Sequence, residues 1–160
     1  MRGHWLWACI PTKVRDLRGR YKTINMAGIL LGQGVEVIGP LIVGGGTPPS
    51  LNIGLFVNNH TPSWGDTNSA YTECTISGYS QVNIPSPNWI IFVGGGPPAT
   101  VTGTPALYTV VGGSGQIVYG YFILDTNSGL YLAAEKFSTA WNPSSGGSFA
   151  IVPVWNILDS

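Results

Sequence analysis

The chain is 160 residues long, which suits one domain with an extension better than two domains. Charged residues make up 9%, against a usual share of about 25%, and the apolar share of 44% is ordinary. A disordered tail is therefore excluded, and the surface must be unusually neutral, a solubility risk for a free monomer but less of one for a subunit packed among others.

Net charge is zero but divided. Residues 1–22 hold six bases and one acid, while the rest of the chain holds six acids and one base. The start, Met1 to Pro11, has an apolar stretch too short for a signal peptide, and Lys13, Arg15 and Arg18 follow where a small-residue cleavage site should be. Met26 is an alternative start. No segment reaches the roughly 18 apolar residues that span a bilayer.

Residues 1–25 read as an extended arm. Trp5, Leu6 and Trp7 make an apolar plug, and Lys13, Arg15, Arg18, Arg20 and Lys22 make it basic. Such an arm can bind phosphates, dock on an acidic protein, or be a solvated tail. The interleaved Trp5, Trp7, Val14 and Leu17 favour protein docking, since a phosphate-binding tail needs no apolar anchor. Residues 26–50 read as a strand-rich linker and 51–160 as the folded domain.

From Met26 onwards, short apolar runs alternate with Gly, Pro, Asn and Ser, as in a chain of short strands. Strands are expected at Val35–Ile38, Leu41–Val43, Asn52–Asn58, Thr72–Ser77, Ser80–Ile84, Trp89–Val93, Ala106–Val111, Gln116–Leu124, Leu130–Phe137 and Ser148–Ile157. Pro85 to Asn88 separates two strands of one pair, Gly112 to Gly115 is a turn, and Asp125 to Gly129 is a hairpin loop. Strand spacing near ten residues without helical periodicity predicts an all-β, jelly-roll-like antiparallel β-sandwich with an N-terminal arm. The repeated Gly-Gly-Gly and Pro-Pro of residues 44–49 and 94–98 reads as two similar strand exits.

Two strands are apolar on both faces. In Val118–Leu124, alternation puts Val118, Phe122 and Leu124 on one face and Tyr119, Tyr121 and Ile123 on the other. In Phe149–Leu158 it puts Phe149, Ile151, Trp155 and Ile157 together. A sandwich core needs one apolar face per strand, so the second must meet a subunit, a loop or a helix. Tyr119, Tyr121 and Trp155 are the expected self-association residues, because Tyr and Trp suit interfaces.

Residues for chemistry are sparse. His4 and His60 are the only histidines, and His60 lies in a turn-like segment where a ring is often just solvated. No triad, zinc pattern or phosphate loop is present. Glu73, Asp125 and Glu135 are glycosidase candidates by type alone. Asp66 to Ser69 is a weak calcium candidate. Cys9 and Cys74 read as free, small apolar side chains. The expectation is no catalytic residue, no metal and no cofactor.

Gly54-Leu55-Phe56-Val57-Asn58-Asn59-His60-Thr61-Pro62, Glu73-Cys74-Thr75-Ile76-Ser77-Gly78-Tyr79, Val118-Tyr119-Gly120-Tyr121 and Leu132-Ala133-Ala134-Glu135-Lys136-Phe137 follow in order. Together, over roughly residues 52–158, they resemble small structural proteins of tailed-phage virions, of decoration, cement or fibre type. The resemblance implies a β-sandwich virion component and brings no catalytic residues. The role expected for the chain is that of a cement protein clamping the major capsid protein, assembled in the host bacterial cytoplasm and itself a homotrimer. The arm would dock through Trp5, Trp7, Lys13, Arg15, Arg18, Arg20 and Lys22, on protein rather than nucleic acid or membrane. The alternative is a tail-fibre module that binds a host surface glycan.

Overall fold

The computed structural model describes residues 8–15, 21–34, 50–85, 89–92, 99–109, 115–143 and 148–157, with side chains for 31–34, 50–85, 102–109, 115–143 and 148–153. Trp5, Trp7, Arg18, Arg20, the expected strands Val35–Ile38 and Leu41–Val43, and most of the Gly112–Gly115 turn lie outside the described residues.

The architecture is an antiparallel all-β sandwich. Its strands are β1 (Ala8–Arg15), β2 (Tyr21–Leu30), β3 (Leu51–Phe56), β4 (Val82–Ile84), β5 (Trp89–Phe92), β6 (Ala99–Gly103), β7 (Ala106–Thr109), β8 (Val118–Asp125), β9 (Tyr131–Trp141), β10 (Ser148–Ile151) and β11 (Val154–Ile157). One layer is a six-stranded sheet in the order β1-β2-β9-β8-β3-β4. The other combines β10-β7 with β11-β6-β5.

In that second layer β6 and β7 run antiparallel to β10 and β11 as one long strand pair with a break, and β5 lies at its edge. Ile151 pairs with Ala106 and Val154 with Thr102, so the register slips by one residue across the break. Pro105 and Pro153 sit there and withhold backbone donors. The Gly103 amide still reaches the Pro153 carbonyl at 3.0 Å and holds the halves together. The expected single strand Ser148–Ile157 is therefore two strands. The break after Ile84 is as expected, but its flanking strands part: β4 pairs with β3 and β5 with β6. Thr72–Ser77 makes only one bridge, Glu73 to Phe56, before turning away at Gly78.

The Asp125–Gly129 loop is a hairpin turn, as its residues require. The Asp125 carboxylate accepts from the Asn127 and Ser128 amides and from the Ser128 hydroxyl. Gly129 takes a φ of 71°, open to glycine at little cost.

At its centre, along β3, β8 and the first half of β9, the main sheet is buried on both faces. On one face Leu51, Ile53, Leu55, Tyr121, Ile123 and Leu132 pack with Ala106, Tyr108, Phe149 and Ile151 of the second layer. The Tyr108 hydroxyl crosses between layers to the Ile53 carbonyl at 2.7 Å. On the other face Phe56, Phe122, Leu124, Tyr131 and Ala134 are covered by Leu31 and by Tyr71 from the loop after β3. Of the three coverings open to a doubly apolar strand, this chain's own loop is the one used there.

Alternation does not hold along all of β8. Val118 belongs to the first core with Tyr121 and Ile123, and Tyr119 to the second with Phe122 and Leu124. A register irregularity between Val118 and Gly120 switches the faces.

Two glycines make the second face possible. Gly54 lies opposite Phe122, and Gly120 opposite Phe56. A Cβ on Gly54 would overlap the Phe122 ring, and one on Gly120 would overlap both the Phe56 ring and the Glu135 carbonyl oxygen. A flexible ring can yield, whereas a backbone oxygen in a paired strand cannot. Gly120→Ala is expected to lower the unfolding free energy by about 3 kcal/mol or more and Gly54→Ala by about 1–3 kcal/mol. Gly65→Ala, with open space around its Cβ, should stay within about 0.5 kcal/mol of the parent, all read from urea unfolding midpoints.

Candidate functional site

Half of the expected arm is sheet. β1 pairs with β2 from Ala8↔Gly28 to Arg15↔Tyr21, and β2 crosses the expected boundary at residue 25. Only Ile29 and Leu30 of β2 pair with β9, so the rest is a two-stranded ribbon, roughly 25 Å long at the usual strand rise. β1 also lies against β10 and β11.

Register sorts the ribbon into two faces. Ile10↔Met26 and Thr12↔Ile24 share one, while Lys13↔Thr23 and Arg15↔Tyr21 share the other. Lys13, Arg15 and Lys22 therefore sit near the closing end of the ribbon. The alternation of Ala8, Ile10, Thr12 and Val14 is the signal for this strand, and Pro11 and the basic residues between them mask the pattern.

The expected self-association residues separate. Tyr121 is a core residue, enclosed within its own chain with its hydroxyl 2.6 Å from Glu135 Oε2. It is thus not a surface group. Tyr119 is half-buried against the second core. Trp155 pairs through its backbone with Val101, and its side chain lies outside the described residues.

The carboxylates are drawn into local structure. Asp125 is 4% exposed and closes the β8–β9 turn. Glu73 accepts from the Tyr79 hydroxyl and the Gln81 amide, both at 2.8 Å. Gln81 accepts from Asn52, which accepts from Asn83, which also donates to the Ser50 hydroxyl. This makes a neutral polar row along the β3–β4 edge. Asp125 lies in its turn, Glu73 at the end of that row and Glu135 inside the core, so the three glycosidase candidates serve separate environments.

His60 is not merely solvated. Its Nε2 lies 2.7 Å from Asp66 Oδ2, which also accepts from the Ser63 amide and the Tyr71 hydroxyl, both at 2.8 Å. Burial raises the Asp66 pKa, but the bonds from His60, Ser63 and Tyr71 outweigh it and hold the carboxyl below its ordinary value. Tyr71 is pushed upward by burial and by Asp66. The same loop is tied down by Asn58, which bonds the Ala70 carbonyl and Thr72 amide. Asn68 in turn bonds the Gly129 carbonyl and Tyr131 amide.

This network answers the calcium candidate. Asp66 Oδ2 is taken by three donors, Asn68 Oδ1 by Tyr131, and the Thr67 and Ser69 hydroxyls bond one another. Among the described residues no group of three His, Cys, Asp or Glu could hold a metal. Cys74 is free and buried, its thiol pushed up by burial, which suits an inert core residue.

Glu135 is the most perturbed acid. It is 2% exposed, and its Oε1 has no hydrogen-bond partner. Burial pushes its pKa up to about 7, against the smaller lowering effect of the Tyr121 hydroxyl. No family model matches the chain, and no curated protein and no solved structure is significantly similar to it.

A raised carboxyl favours the protonated form in the fold. Its contribution is whole below the ordinary value of 4.5 and is lost as pH rises through about 7. Thermal unfolding should show this loss between pH 4.5 and 8, on the order of 3 kcal/mol. Glu135→Gln, neutral at every pH, should flatten that slope. An equal slope in the variant would assign it to another group.

Proposed function

We propose that this chain is a decoration, or cement, protein of a tailed-phage head. It clamps neighbouring shell subunits and acts as a homotrimer at symmetry axes. The observation that carries this reading is the β1–β2 ribbon. It continues the main sheet beyond its last pairing with β9, and it brings Lys13, Arg15 and Lys22 near one end. Basic residues on a structured extension suit docking on an acidic protein surface, because less chain must be ordered on binding than for a loose tail.

Three further features support assembly over catalysis. The four described carboxylates are engaged in turns, loops and core. The low share of charged residues, 9%, suits a subunit that stays packed among others. The resemblance to virion structural proteins over roughly residues 52–158 points the same way, and a jelly-roll reading of the sandwich belongs with it. The other residues expected to anchor the clamp are Trp5, Trp7, Arg18 and Arg20, which lie outside the described residues.

Truncation after residue 25 would cut through β2, so charge reversal is the cleaner probe. The triple change Lys13→Glu, Arg15→Glu, Lys22→Glu should weaken attachment to stripped heads at least about tenfold, near 1.4 kcal/mol or more, with an unchanged melting temperature. Quantitative gels of purified virions should find hundreds of copies per particle. A handful of copies at the tail would point to a fibre module instead.

A further inference from the structure

The β1–β2 ribbon leaves the main sheet beside a buried acid. β2 pairs with β9 at Leu30↔Ala133 and Ile29↔Ala134 and no further. The next residue of β9 is Glu135, and the next row of the ribbon is Ala8↔Gly28. The root of the ribbon is therefore set next to a carboxyl that is only 2% exposed. Its Oε2 accepts from the Tyr121 hydroxyl, while its Oε1 has no partner among the described residues. A buried carboxyl with half of its acceptors unmet costs least when it carries a proton.

No described cation is placed to pair with it. Glu135 lies opposite Tyr121 on β8 and so shares the first core face. The titratable groups of that core are Tyr121, Tyr108, Tyr79 and Cys74, all uncharged at neutral pH. β10 and β11, against which β1 lies, hold no titratable residue, and neither do β5 and β6. Glu73 bridges to the far side of β3, with β3 and β8 between it and β9. Lys136 is adjacent in the chain, but its Nζ donates to Thr61 in the loop after β3, which covers the opposite face. In the ribbon, Cys9 is the only titratable residue of the first five rows from the root. Lys13, in the sixth row, lies roughly 17 Å farther along the strand.

We propose that Glu135 is a pH-sensitive latch at the root of the ribbon: the ribbon stays seated on the body while this carboxyl is protonated and loosens when it ionises. A charge formed at this position must be met by water. On one side β8 closes the site with a continuous ladder through Gly120↔Lys136 and Tyr121↔Glu135. On the other side the ladder has already ended at Ile29↔Ala134. Loosening the ribbon is thus the least costly way to admit water. Burial pushes the carboxyl up to about 7. The seated form is therefore favoured in full below the ordinary value of 4.5 and loses that advantage as pH rises to about 7, beyond which the effect is level. The latch is a property of the chain itself and holds whether or not the ribbon docks on a shell.

Hydrogen–deuterium exchange of the full chain at pH 5 and pH 8, with each rate divided by the intrinsic rate at that pH, reads the opening. Amides of β2 should lose protection at least about tenfold between the two conditions. They should also be less protected than amides of β3 and β8 in both, since the ribbon opens without the sandwich. In Glu135→Gln, neutral throughout, ribbon protection should agree within about threefold at the two pH values. If that variant lacks a cooperative melt, Tyr121→Phe takes its place. It removes the hydroxyl that favours the ionised form, so its ribbon should lose more protection than the wild type between pH 5 and pH 9. Ribbon protection that is constant with pH, an equal loss in Glu135→Gln, a Tyr121→Phe loss no larger than that of the wild type, or ribbon amides as protected as those of β3 and β8 would each overturn the proposal.

Discussion

The fold turns on a reciprocal contact between two neighbouring strands. Phe122 of β8 lies across Gly54 of β3, and Phe56 of β3 lies across Gly120 of β8. Each ring occupies the space that the other strand leaves by having no side chain. Phe122 in turn stacks on Tyr131 with centroids 4.2 Å apart, and Phe56 meets Tyr71 at 5.2 Å. The second face of the main sheet thus becomes a compact aromatic layer that a single loop can close. The position of that loop, and of the His60–Asp66–Tyr71 network within it, rests on this contact.

The loop is held at both ends by amide side chains rather than by a helix or strand. Asn58 completes two backbone bonds at its start, and Asn68 completes two more to the β8–β9 hairpin. Asp66 gathers the middle. Each of these side chains substitutes for a backbone partner that irregular chain would otherwise lack, which is how a long loop can lie over an apolar face.

Much of the sandwich is legible in the sequence because its signals are local. The Asp125–Gly129 turn needs an Asx-type carboxylate and a glycine with positive φ, and both are adjacent in the chain. β3, β4, β5, β7, β8 and β9 appear within a few residues of the expected places, since each is a short run of branched and aromatic residues between turn formers. What is illegible depends on distant partners. Pro153 marks a break within the run Phe149 to Ile157, but the one-residue register slip there depends on Pro105 in the facing strand. β6 has only Thr100, Val101 and Thr102 to mark it. Tyr121 reads as an interface residue until the second layer is in place. Asp66 and His60, six residues apart in a Pro- and Gly-containing loop, carry no periodic signal that would pair them.

The charge division seen in the sequence acquires a different meaning in three dimensions. Of the six acids beyond residue 22, Asp125 and Glu135 are buried, and Asp66 and Glu73 are half-buried within hydrogen-bond networks. Glu135, with its pKa pushed up to about 7, is about half uncharged at neutrality. None of these four carboxylates is exposed as a free anion, so the body offers the basic ribbon of a second copy few charges to meet among the described residues. Under the proposed clamping role, contacts between bodies would rest on apolar and neutral polar groups, which salt leaves largely untouched. Docking of the ribbon would rest on a different, acidic molecule, and that contact would weaken as salt screens it. The proposed role therefore carries two kinds of contact that differ in their response to ionic strength.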